Sequence, residues 1–232
     1  EDIKKYKKNL FYLLITSVLG VTIFNTFTYL SLQTSMVINS SIMTSITPLL
    51  IIFFSWLVYK TPTYPMQFFG IILSIFGVVL IISKANFINL INLNFTKGDL
   101  WMLAAIFSWG LYSVLLRKID STLSQLATLE VMIFFGLIFI LPFYIIESFG
   151  NSYLPKNSNE FLMISYVAIF ASITSFFAWN KGVSILGANK ASLFLHLIPV
   201  FSSIWAIIFL GENFFLFHLL GTVFILFGIM LS

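Results

Sequence analysis

Residues 180–201 read Asn-Lys-Gly-Val-Ser-Ile-Leu-Gly-Ala-Asn-Lys-Ala-Ser-Leu-Phe-Leu-His-Leu-Ile-Pro-Val-Phe, and the apolar run they open is cut at Gly211-Glu212 before a second run continues to Ser232. The same punctuation occurs earlier at a constant separation of 151 residues. Pro199 answers to Pro48, Gly221 to Gly70, Phe227 to Phe76, Gly228 to Gly77 and Leu231 to Leu80, with no gap from Tyr29 onward. Two spans that share a proline and then a pair of glycines seven apart form an internal repeat. In membrane proteins, repeats of this kind commonly build transporters.

Composition fixes the solvent. The chain is 59% hydrophobic and 9% charged, with a mean hydropathy of +1.03, whereas a soluble domain carries about a quarter charged residues. Crossing a bilayer takes roughly 20 apolar residues per helix. Eight runs qualify, at about 10–31, 36–59, 65–83, 99–117, 124–146, 161–180, 188–210 and 213–231. They leave no length for a soluble domain, and they are continuous rather than alternating, which excludes a barrel. The reading is an all-α polytopic membrane protein embedded in a lipid bilayer. The net charge of +4 does not point to nucleic acid, because the basic residues are scattered at span ends. With no cysteine there is neither a disulfide framework nor a thiolate metal site.

Placing residues 1–9 in the cytoplasm and alternating sides puts Lys4, Lys5, Lys7, Lys8, Lys60, Arg117, Lys118, Lys181 and Lys190 inside and Lys84, Lys97 and Lys156 outside. That asymmetry obeys the positive-inside rule. Both ends of the chain are then cytoplasmic, in an inner or plasma membrane. The second and seventh spans lie an odd number of crossings apart, so the repeat units point oppositely and a site is expected between them. The units divide as 1–83 (three spans), an Asn-rich outward linker at 84–98 that carries the sequon Asn94-Phe95-Thr96, and 99–232 (five spans). The three earlier spans match the last three later ones. The spacing therefore predicts a piece of a ten-helix protein lacking its first two helices, a natural eight-helix protein being the alternative.

The run Trp179-Asn180-Lys181-Gly182, then Leu186-Gly187-Ala188, Ala191-Ser192, Phe194, Leu197-Ile198-Pro199-Val200 and Leu210-Gly211-Glu212, closing on Gly221 and Gly228, resembles the second repeat of EamA-type transporters of the drug/metabolite transporter superfamily. The resemblance implies ten helices as two inverted five-helix repeats around a central cavity, and transport of small metabolites such as amino acids. The earlier unit departs from the pattern, because Thr61 stands where the later unit has Glu212.

Polar residues inside apolar spans are the candidate cavity. Pro48 and Pro199 each remove a backbone donor, freeing the carbonyls of Thr44 and Leu195 and bending the span as a kink or hinge. Ser192, His196 and Pro199 share a helix face, and at the repeat offset so do Ser41, Ser45 and Pro48. His196 either contacts a substrate or exchanges a proton, or else is a neutral histidine bonded between helices. Glu130 lies inside the fifth span, where a carboxylate is a functional candidate by default. Asn25, Tyr29, Trp109, Tyr112, Trp179 and Asn180 join them, since aromatics beside amides suit a solute with apolar and polar parts. Gly70, Ser74, Gly77, Gly221 and Gly228 read as small residues that let helices approach. No catalytic motif, phosphate loop or cofactor fingerprint occurs. The sequence thus points to a secondary transporter of a small organic metabolite working by alternating access, not an enzyme, with a non-transporting scaffold or receptor subunit as the alternative.

Overall fold

A computed structural model describes residues 2–62, 64–86, 88–91, 95–149, 155–211 and 213–232. Among these residues the chain is helical and has no strand. Seven helical runs are long and apolar enough to cross a membrane: Lys4–Leu32, Asn39–Tyr59, Pro65–Ile82, Lys97–Lys118, Gln125–Ile146, Ser158–Leu186 and Ala188–Leu210, here the first to seventh spans. An eighth apolar helix, Leu216–Leu231, is shorter. The eight apolar runs of the sequence are therefore all helical. The protein is a multi-pass integral membrane protein whose outer faces carry rows of exposed Phe, Ile and Leu suited to lipid.

Four of these runs are irregular, and they form two pairs. The first span widens to a π-helix at Ser17–Ile23 and the sixth at Val167–Thr174. Ile23 and Thr174 stand at the repeat separation. Hydroxyls that bond back to the preceding turn favour such widening: Ser17 Oγ donates to the Leu13 carbonyl at 2.6 Å, and Thr174 Oγ1 to that of Ile169 at 2.8 Å. In the first span the loosened turn offers its carbonyls to neighbours, and Ser108 Oγ donates to Leu19 O at 2.7 Å.

The second and seventh spans are the other pair. Neither is smoothly bent at its proline. The second breaks at Ser45–Ile46, and the seventh tightens to a 3-10 turn at Phe194–Leu197. Pro48 and Pro199 then sit in the first turn of the following half-helix, where a missing donor costs nothing. The carbonyl of Leu195 needs neither water nor a neighbouring helix, because Ile198 N–H reaches it within the tightened turn.

Glycine sets the contact between the third span and the last helix. A Cβ on Gly77 would lie 2.5 Å from the Gly221 carbonyl oxygen, and one on Gly70 would lie 2.5 Å from that of Gly228. Gly70 with Gly228 and Gly77 with Gly221 pair in opposite order, so the two helices run antiparallel in backbone contact. Elsewhere the packing is by bulk: Leu13, Trp109, Tyr112, Leu129, Met132 and Phe176 form a core joining the first, fourth, fifth and sixth spans. The face of the sixth span away from this core is largely exposed.

One buried carboxylate, unremarked in the sequence, pins the connection between the first two spans. Asp99, 1% exposed, accepts from Thr96 N at 2.6 Å, from Asn39 Nδ2 at 3.1 Å and from Ser35 Oγ. With the Thr96 side chain it completes a capping box on the fourth span, where a negative charge also meets the positive helix end. Gly98 brings that cap against the backbone of Ser31 and Ser35.

Two outcomes follow from this packing. Gly77→Val lowers the thermal midpoint in detergent, at a cost of roughly 3 kcal/mol for overpacking, whereas Gly182→Ala, which meets nothing within 4 Å, leaves it unchanged or raises it. Asp99→Ala costs roughly 2 kcal/mol, by leaving buried donors unpaired, and Asp99→Asn costs less. Midpoints of the four variants measured against wild type in one detergent check both statements.

Candidate functional site

The broken second and seventh spans face each other, and the break creates the contact. In an unbroken helix the Ser45 carbonyl would take the Leu49 N–H. Leu49 N instead bonds Ile46 O at 3.0 Å, leaving the Ser45 oxygen to His196, whose Nε2 lies 2.9 Å away. Nδ1 of the same ring lies 2.7 Å from Ser74 Oγ on the third span. A carbonyl only accepts, so Nε2 carries a proton, and in the neutral ring Nδ1 accepts from the Ser74 hydroxyl. His196 is 1% exposed and Ser74 fully buried. Three spans are tied through one imidazole, and Ser45 and His196 are repeat equivalents.

Above this tie lies a cavity of about 520 Å³ lined by Ser40, Ser41, Thr44, Ser45, His196, Pro199, Ser202 and Ser203, with Lys84 and His218 also on its wall. These residues belong to the starts of the second span and the last helix, the end of the third span and the later part of the seventh. The cavity therefore occupies one end of the bundle.

Two further cavities occupy the other end. One of about 230 Å³ is lined by Arg117, Asp120, Gln125, Thr128, Asn180 and Ser184 among others. A second of about 500 Å³ is bounded by Tyr59, Gln67, Arg117, Asn189 and Lys190. Tyr112 donates to Asn180 Oδ1 at 2.6 Å, and Trp179 Nε1 donates to Ser113 Oγ at 3.1 Å. Trp109 packs against Phe24, Tyr112, Phe176 and Trp179. Gln125 donates to Ser184 Oγ at 2.6 Å, while its buried Oε1 has no partner among the described residues. Asp120, in the loop outside the membrane, is held below the usual carboxylate range by the Thr122 backbone N–H and hydroxyl.

The sequence candidates thus fall into separate groups. Ser41, Ser45, His196 and Pro199 gather at the first cavity, with Pro48 buried nearby. Trp109, Tyr112, Trp179 and Asn180 gather in the aromatic layer towards the other end. Ser192 is fully buried and bonds Asn189 O of its own helix at 2.7 Å, and Asn25 bonds its own helix at Val21 O, 2.8 Å away. Tyr29 is 55% exposed and Glu130 is exposed on the fifth span, so the structure brings neither into these groups. Glu212 and Asn94 lie outside the described residues. The sequence reading missed Ser74, treated there only as a small packing residue. It also missed Ser203, although the spacing His196, Pro199, Ser203 marks one helix face.

Comparison with known proteins agrees with this architecture. A crystal structure of a protein 16% identical in sequence superposes with a TM-score of 0.76 over 94% of this chain and 74% of that one, a likeness of fold alone. The chain is 25% identical over 232 residues to the uncharacterized transporter YyaM of Bacillus subtilis, covering 99% of this chain and 76% of that protein. It is 26% identical to the uncharacterized transporter YetK of the same organism, over 97% and 68% of the two chains. It is 24% identical to the uncharacterized inner membrane transporter YicL of Salmonella typhimurium, over 99% and 75%. The EamA-like transporter family model matches residues 2–83 and 96–232, and the chain therefore belongs to the EamA-like transporter family.

Proposed function

We propose that the protein is a secondary transporter that moves a small organic metabolite, of the size of an amino acid, by alternating access. The observation that carries this reading is the placement of cavities at opposite ends of the same broken spans, one at Ser41 and Ser203 and one at Tyr59 and Lys190, with the His196 tie between them. Breaking the His196–Ser45 bond costs one hydrogen bond, so binding energy of ordinary size is enough to shift the balance. A proton taken up at Nδ1 would turn that nitrogen from acceptor to donor and force the Ser74 hydroxyl to turn. This gives the tie a route to proton coupling.

The paired irregularities support an inverted repeat. The π-helices correspond at the offset, the breaks correspond, and the antiparallel glycine contacts exchange with each other when the units are swapped. In this reading residues 1–83 and 99–232 are the two units, joined by 84–98. The first span packs on the fourth and fifth, and the exposed face of the sixth would take two equivalent helices, giving ten in all. The basic residues set both ends of this chain in the cytoplasm. Such a protein is no enzyme; its partners are the solute and the bilayer.

Uptake of a labelled metabolite panel into proteoliposomes tests the proposal. His196→Ala and Ser74→Ala each reduce saturable uptake, by about tenfold or more when a buried tie is lost, and Glu130→Gln leaves it within about twofold. Uptake that is indifferent to His196→Ala in folded protein removes the tie from the mechanism, and absence of any uptake removes transport.

A further inference from the structure

We infer that the cavity above His196 binds a small hydroxylated carboxylate rather than an amine, deepening the transporter reading by naming the class of solute. Charge gives the first reason. The ionisable side chains on the wall are Lys84, His196 and His218, and no Asp or Glu lines the cavity among the described residues. An ammonium group taken into this site finds only neutral oxygens to replace its hydration and meets the like charge of Lys84, whereas an anion is paired by the Lys84 ammonium at the wall.

The hydroxyls give the second reason, because their donors are not all free. Thr44 Oγ1 donates to Ser40 O at 2.8 Å, Ser45 Oγ to Ile42 O at 2.6 Å and Ser203 Oγ to Pro199 O at 2.8 Å. Their O–H groups are committed to their own helices, and only oxygen lone pairs remain for a ligand. Ser41 and Ser202 make no such bond among the described residues and keep donors to offer. Ser40 Oγ is committed too, donating to Ser35 Oγ at 3.0 Å, so the wall presents a cation and two donors for a carboxylate, and four neutral acceptors for hydroxyl hydrogens. Ile81, Ile82, Leu195 and Phe217 supply apolar wall for a short carbon skeleton.

The test uses the full chain in detergent with glycerate as the hydroxy-acid probe, glycerol as the neutral probe and ethanolamine as the amine, read by the ligand-induced rise in thermal midpoint. Glycerate stabilises saturably and the other two do not. Lys84→Gln raises the half-saturating glycerate concentration roughly tenfold, while Lys84→Arg stays within about threefold. The double change Ser41→Ala with Ser202→Ala weakens glycerate by a similar factor and carries the test if Lys84→Gln does not fold. Ethanolamine or glycerol stabilising as well as glycerate, or glycerate binding unchanged in the folded variants, overturns the assignment. Uptake of the same probes into proteoliposomes is read separately. Glycerate binding without uptake sinks the transport reading and leaves the site standing; uptake of amines without glycerate binding does the reverse.

Discussion

A backbone surrounded by hydrocarbon has no bulk water to fall back on, so each carbonyl released by a helix break must find a donor within the protein or in the water of a cavity. The Ser45 carbonyl meets that demand through His196, and much of the interior follows from it. The bond holds the second span against the seventh, fixes which imidazole nitrogen carries a proton, and turns the other nitrogen to Ser74 on the third span. Ser74 lies between Gly70 and Gly77, whose lack of side chains lets the last helix approach to backbone contact. A Cβ on Gly228 would lie 2.7 Å from Ser74 Cβ, so the serine that meets the imidazole also lies in the glycine contact. The small residues and the polar tie are therefore one device.

The remaining irregular turns obey the same accounting. Proline in the middle of a span is usually pictured as a bend with an orphaned carbonyl. Here the chain tightens ahead of Pro199, the Leu195 carbonyl is served locally, and each proline begins a new half-helix. The π-helix of the first span loosens its turn and hands the Leu19 carbonyl to Ser108. Local breaks thus become contacts between spans, which in a bilayer is a principal source of cohesion, because lipid tails offer no hydrophobic drive between helices. Contacts of this kind can also be exchanged at modest cost, as a transporter requires.

Much of this was legible in the chain itself. Continuous apolar runs set the number and kind of helices, the spacing of Gly70 and Gly77 from Gly221 and Gly228 picked out positions that prove to touch, and Pro48 and Pro199 mark the two breaks. The shared face of Ser192, His196 and Pro199 led to the imidazole at the centre. What could not be read was who meets whom. Nothing local to Ser74 distinguishes a packing serine from the partner of a histidine 122 residues away. Glu130 drew attention as an intramembrane carboxylate, yet side-chain direction depends on the rotation of the whole helix, and it faces outward. Asp99 hid at a span end, although Thr96 three residues earlier already had the spacing of a capping box. The π-helices left no trace in hydropathy, because they alter hydrogen-bond register and not composition.

The chain has no cysteine, so single thiols can report on each end without background. The most direct measurement places one by Ser202→Cys and another by Ser184→Cys. Each is then exposed, in sealed vesicles of known orientation, to a thiol reagent that cannot cross the bilayer. The account predicts that the two sites label from opposite sides of the membrane. It also predicts that adding His196→Ala changes the two labelling rates in opposite directions. Labelling of both sites from the same side, or rates that rise together when the imidazole is removed, would contradict it.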